Sequence, residues 1–106
     1  IMVYYRKEVL FMSDVLVGGW KYQEMQACNL PEPVATAFSK AFAGFVGVIY
    51  VPVLYVASQL VAGTNYCIIC KTTTVTNPPM EGCKVVRIYA DLQGNAHITH
   101  INDVIE

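Results

Sequence analysis

The sequence predicts an α+β domain in which one helix is wrapped by a four- or five-stranded antiparallel sheet. Two observations carry this. Val34, Phe38, Ala41, Phe42 and Phe45 recur at helical spacing and form one apolar face. After Val46 the composition turns to Val, Ile, Tyr and Thr, in runs broken by turn-forming clusters. A helix with one apolar stripe must bury it against another element. Consecutive strands joined by short turns pair side by side and offer the face to receive it.

Each element has its own signal. Residues 1–17 read as an extended arm, with Val3, Tyr4, Tyr5, Val9, Leu10 and Phe11 suited to an edge strand, and Gly18-Gly19 interrupts any regular element. Residues 18–106 then make one domain. Residues 20–30 are weakly periodic, open as a helix start near Lys21. Asn29 with Glu32 matches a capping box, Pro31 suits a first turn, and Gly44 and Gly47 can stop the helix. Val48–Val61 is long enough for one bent strand, in which Pro52 marks an edge, a bulge or a break.

Tyr66–Val75 reads as the next strand, and Asn77-Pro78-Pro79-Met80-Glu81-Gly82 as a turn. Lys84–Leu92 alternates cleanly, with Val86, Ile88, Ala90 and Leu92 on one face. Gln93-Gly94-Asn95 is a tight connection. Ala96–Val104 is the last strand, bulged where Ile98 and Ile101 fall out of step.

Composition narrows the function classes. The 106 residues suffice for one domain with one core. Charged residues make up 14% and hydrophobic ones 55%, so the chain is apolar for its size and inclined to self-associate. A net charge of -1 with no run of Lys and Arg gives no footprint for nucleic acid. No charged residue occurs from Ala41 to Cys70, and within that stretch Ala41 to Ala62 could span a bilayer by length. Its Gly44, Gly47, Pro52, Ser58 and Gln59, and its wealth of strand formers, argue against a membrane helix. Ile1 to Met12 mixes Arg6, Lys7 and Glu8 with apolar pieces, which is not the order of a secretory leader. Localisation leans toward the cytoplasm, with secretion left open.

The residues that could carry catalysis are poorly placed for it. Cys67 and Cys70 have redox or zinc spacing, but on a strand a separation of three puts their sulfurs on opposite faces. His97 and His100 diverge for the same reason. The eight carboxylates show no acid–base pairing, and Gly18-Gly19 lacks the remaining parts of a nucleotide fingerprint. No metal, cofactor or catalytic residue is expected, and the chain is not expected to be an enzyme.

A binding wedge fits better. Gln59-Leu60-Val61-Ala62-Gly63 precedes Thr64-Asn65-Tyr66, and the pattern reads as a slim hairpin tip. This stretch resembles the Gln-x-Val-x-Gly hairpin of the cystatins, inhibitors of papain-like cysteine proteases. Leu16-Val17-Gly18-Gly19 resembles the amino-terminal arm of secreted cystatins. Ile88-Tyr89-Ala90 with Gln93-Gly94 is similar to the region of their second loop. The matches keep the family's order and cover residues 16 to about 102.

The resemblance implies a helix gripped by a curved sheet, with three segments along one edge that plug a protease groove. Its implied contacts are Leu16, Val17, Gly18, Gly19, Gln59, Leu60, Val61, Ala62, Gly63, Gln93 and Gly94. Leu16 and Val17 would anchor in substrate subsites, and the glycines would let the arm turn away before it can be cut. The chain departs from the family where Asp91-Leu92 stands in place of the usual Pro-Trp, and the secreted members' two disulfides cannot be laid onto Cys28, Cys67, Cys70 and Cys83. A homodimer or docking module built on the same domain, with no protease inhibition, is the alternative expectation.

Overall fold

The computed structural model describes residues 19–105. Helix α1 (Glu32–Ala41) is followed by β1 (Val48–Val61), β2 (Gly63–Thr74), β3 (Glu81–Ala90) and β4 (Ala96–Asp103). The strands form one antiparallel sheet in the order β1-β2-β3-β4. Four strands are present among the described residues. The expected arm, including Leu16, Val17 and Gly18, lies outside them.

The helix starts later than the capping box implies. Pro31 is its N-cap, with an extended ψ of 153° and no side-chain cap, and its carbonyl accepts the first helical bond from Ala35 N at 2.9 Å. A box led by Asn29 would need Leu30 as the first helical residue. Instead Cys28 N donates to Pro52 O at 2.9 Å, which holds that stretch against the outer edge of β1. Residues 20–30 therefore contain no helix near Lys21. Glu32 in the first turn and Lys40 in the last both suit the helix dipole.

Phe42 closes the helix, and Gly44 and Gly47 follow with φ of 84° and 89°. Phe45 thus leaves the helical stripe, but it stays with an aromatic cluster. The Phe42 ring centroid lies 4.6 Å from Phe38, 4.7 Å from Tyr50 and 4.9 Å from Phe45. These rings tie the helix end to the start of β1.

The core joins Val34 and Ala37 of α1 to Ile68 and Cys70 of β2 and Val86 and Ile88 of β3, all buried. Directly opposed residues share a sheet face. The helix-covered face therefore carries Ile68, Cys70, Val86 and Ile88, flanked by Tyr50, Tyr66, Ile98 and Ile101. Cys67 is only half-buried and projects from the other face. Burial of the Cys70 thiol, with weaker influence from Cys28 and Cys83, pushes its pKa up to about 12.

Among the described residues β1 is an edge strand, which accommodates Pro52. Its pairing with β2 shifts register between Pro52 and Leu54 and again between Tyr55 and Ala57. Each shift adds one residue to β1 and bends it. β4 carries one bulge, since Arg87 pairs with His100 while Ile88 pairs with Ile98. That is where the sequence falls out of step.

Five strand boundaries differ from the sequence expectation, two of them by one residue, since β2 ends at Thr74 and β4 at Asp103. β2 begins at Gly63, three residues before Tyr66. β3 begins at Glu81, within the expected turn, because Lys71 pairs with Glu81 in an ion pair of 3.1 Å. β3 ends at Ala90, so Leu92 leaves the sheet face and is 76% exposed.

Candidate functional site

Strand register brings two turns to one end of the sheet. In the first hairpin Gln59 pairs with Asn65, Leu60 with Thr64 and Val61 with Gly63, leaving Ala62 at the apex. Thr64 in turn pairs with Ala90, and Ala90 with Ala96. The turn Asp91–Asn95 therefore projects beside the Ala62 apex.

The first tip is narrow and held from below. Leu60 is 85% exposed, Val61 and Ala62 are exposed, and Gly63 is buried. Gly63 has φ of 110°, where an L side chain is strained. A Cβ there would overlap the Ala90 carbonyl oxygen and come 2.9 Å from Tyr89 Oη. That hydroxyl donates a hydrogen bond to the Ala62 carbonyl. Gln59 works at the base of the hairpin, where its Oε1 accepts from Asn65 Nδ2 at 2.9 Å. It braces the two strands across the register.

The second turn is organised by Asp91. Its carboxylate accepts from Gln93 N at 2.9 Å, Asn95 N at 2.8 Å and Asn95 Nδ2 at 3.2 Å. These bonds, led by the Asn95 amide, hold the Asp91 pKa below its ordinary value. The charge is thus engaged inside the turn. Gly94 takes φ of 92°, and its carbonyl accepts from Lys40 Nζ at 2.6 Å, which ties the end of α1 to the turn. Gln93 and Gly94 are exposed, and so is Leu92 beside them.

Of the residues expected to bind a partner, the sheet unites Gln59, Leu60, Val61, Ala62, Gly63, Gln93 and Gly94. Gly19, the other described residue of that set, is exposed and outside any helix or strand.

Two contributors escaped the sequence. Leu92 belongs to a strand face in the sequence pattern, yet it forms a second exposed apolar point at the same end of the sheet as Leu60. Tyr89 was read only as part of a strand pattern, yet it fixes the first tip from 27 residues away. Its position opposite Asn65, from which the hydroxyl reaches the tip, follows from register, which local composition does not carry.

Among the described residues no three His, Cys, Asp or Glu side chains gather as a metal site, and no helix is long and apolar enough to cross a membrane. No protein-family model, no curated protein and no solved structure matches this chain.

Proposed function

We propose that this chain is a cystatin-like, reversible inhibitor of papain-like cysteine proteases. The observation that carries the proposal is the pairing of two slim turns at one sheet end, each offering an exposed leucine. The likeness of Gln59–Gly63 to the cystatin hairpin supplies the target class.

Inhibition of this kind needs no nucleophile. Leu60 enters the groove from one tip and Leu92 from the other, and Gly63 keeps the backbone free of side-chain bulk. Tyr89, the Gln59–Asn65 pair and the Asp91 turn hold both tips in place before binding, which limits the entropy lost on docking. Burying Leu60 fully against a partner would contribute about 2 kcal/mol. In this reading Leu16, Val17, Gly18 and Gly19 add contacts from the arm.

Titration of active papain with the purified chain tests the proposal. The expected result is loss of activity that saturates near one equivalent and returns on dilution. Unchanged papain activity at a large excess of chain contradicts it. A second reading, a docking or dimerisation module without inhibition, is favoured by Ile49 and Leu54, 55% and 53% exposed on the sheet face away from the helix. A dimer by size exclusion together with inert papain supports that reading.

A further inference from the structure

The sheet face away from the helix carries a depression with a cavity volume of about 340 Å³. It lies behind the first hairpin, across all four strands. Register sets Ala57 opposite Cys67, Cys67 opposite Arg87, and Arg87 opposite His100. These four residues form one row, and Gln59 and Asn65 close its end toward the tip.

Arg87 is the one Lys, Arg, Asp or Glu side chain in the lining, among donors and acceptors from Gln59, Asn65, Thr99 and His100. Arg87 is exposed, and the ion pairs among the described residues, Lys71–Glu81 and Lys84–Asp103, leave it without a carboxylate partner. No Asp or Glu lines the depression. The Gln59 side chain spends its oxygen on Asn65 Nδ2, which leaves the Gln59 amide nitrogen to donate elsewhere.

On β4 the Thr99 hydroxyl donates to Arg87 O at 3.3 Å, so in its 3.1 Å contact with His100 Nδ1 it accepts. That hydrogen-bond logic assigns the proton to Nδ1 and leaves Nε2 as the uncommitted ring nitrogen. The Ala57 methyl and the Cys67 thiol supply apolar wall.

We infer that this depression is a binding site for a small carboxylate with an apolar body. The guanidinium presents parallel N–H groups that match a carboxylate in a bidentate pair. The apolar wall takes the remainder of the molecule. A cavity of this size lies at the lower end for small-molecule sites, which fits a compact acid. A phosphate dianion is disfavoured, since one fixed guanidinium beside apolar wall compensates its charge poorly. The inference does not depend on protease inhibition: Gln59 and Asn65 belong to both regions, but Arg87, Cys67 and His100 lie behind the tips and the test reads ligand binding alone.

An NMR titration of the full chain with phenylacetate tests it, following the Arg87 side-chain Nε–H and the Asn65 side-chain amide. Saturable shifts of both resonances are expected. Affinity should fall about tenfold or more in R87Q, and by a similar factor when neutral phenylacetamide replaces the acid. R87Q alters an exposed side chain, and its retained spectrum elsewhere will report an intact fold. Absence of saturable shifts overturns the site. Equal binding of phenylacetate and phenylacetamide, or by R87Q and the parent chain, overturns the carboxylate assignment. Inorganic phosphate binding as tightly as phenylacetate overturns the apolar half of the ligand.

Discussion

Gly63 is the residue on which the first tip turns. Its positive φ and the closeness of Ala90 O leave no room for a side chain. Gly63→Ala should therefore cost about 2 kcal/mol or more in urea unfolding, from backbone strain and displacement of Ala90. A loss below about 0.5 kcal/mol, the range of an ordinary surface substitution, would contradict that account. Tyr89→Phe removes only the bond to an exposed carbonyl that water can replace, so its global cost should stay near 0.5–1 kcal/mol. Its signature is local: the Ala62 and Gly63 amides should exchange faster with solvent while core amides hold. Cys70 behaves oppositely, since burial keeps its thiol neutral to about pH 12. In the unfolded chain it ionises near the ordinary thiol value, so stability should fall as pH rises above about 9. Iodoacetamide followed by mass spectrometry should leave Cys70 unmodified in the folded chain at pH 9. Labelling at the rate of a free thiol would contradict its burial.

At the scale of elements, the sequence disclosed more of the strands than of the caps. Pro52 signalled an edge or bulge because proline cannot donate to a ladder, and among the described residues β1 is an edge strand with a register shift just beyond Pro52. The β4 bulge was legible because Ile98 and Ile101 both need the core face while an odd interval separates them. The helix start was misjudged because the Asn29–Glu32 spacing is local, whereas the bond from Cys28 to Pro52 is tertiary. Asp91 was similarly hidden: as a strand residue it faces solvent, and only as the first residue of a turn do its oxygens meet three donors. Its depressed pKa means the turn is supported above the ordinary Asp value and loses that support as pH falls through the lower, folded value. The Gln93 and Asn95 amide resonances should therefore titrate in acid with a midpoint below about 3.9. A midpoint at or above that value would show the carboxylate to be unengaged.

For the whole molecule, the fold class follows from one amphipathic helix and a run of turn-punctuated strands. The joining of two turns at one end does not, because it depends on counting three register shifts across the sheet. The hairpin at Gln59–Gly63 was legible from its residues alone, whereas Leu92 and Tyr89 gained meaning only from the assembled sheet. Hydrogen exchange of the chain bound to papain with its catalytic thiol blocked tests the central claim most directly. The account predicts new protection at Leu60–Gly63 and at Leu92–Asn95 together, with the Ile49–Leu54 face unchanged. Protection confined to that face, or to neither turn, would contradict it.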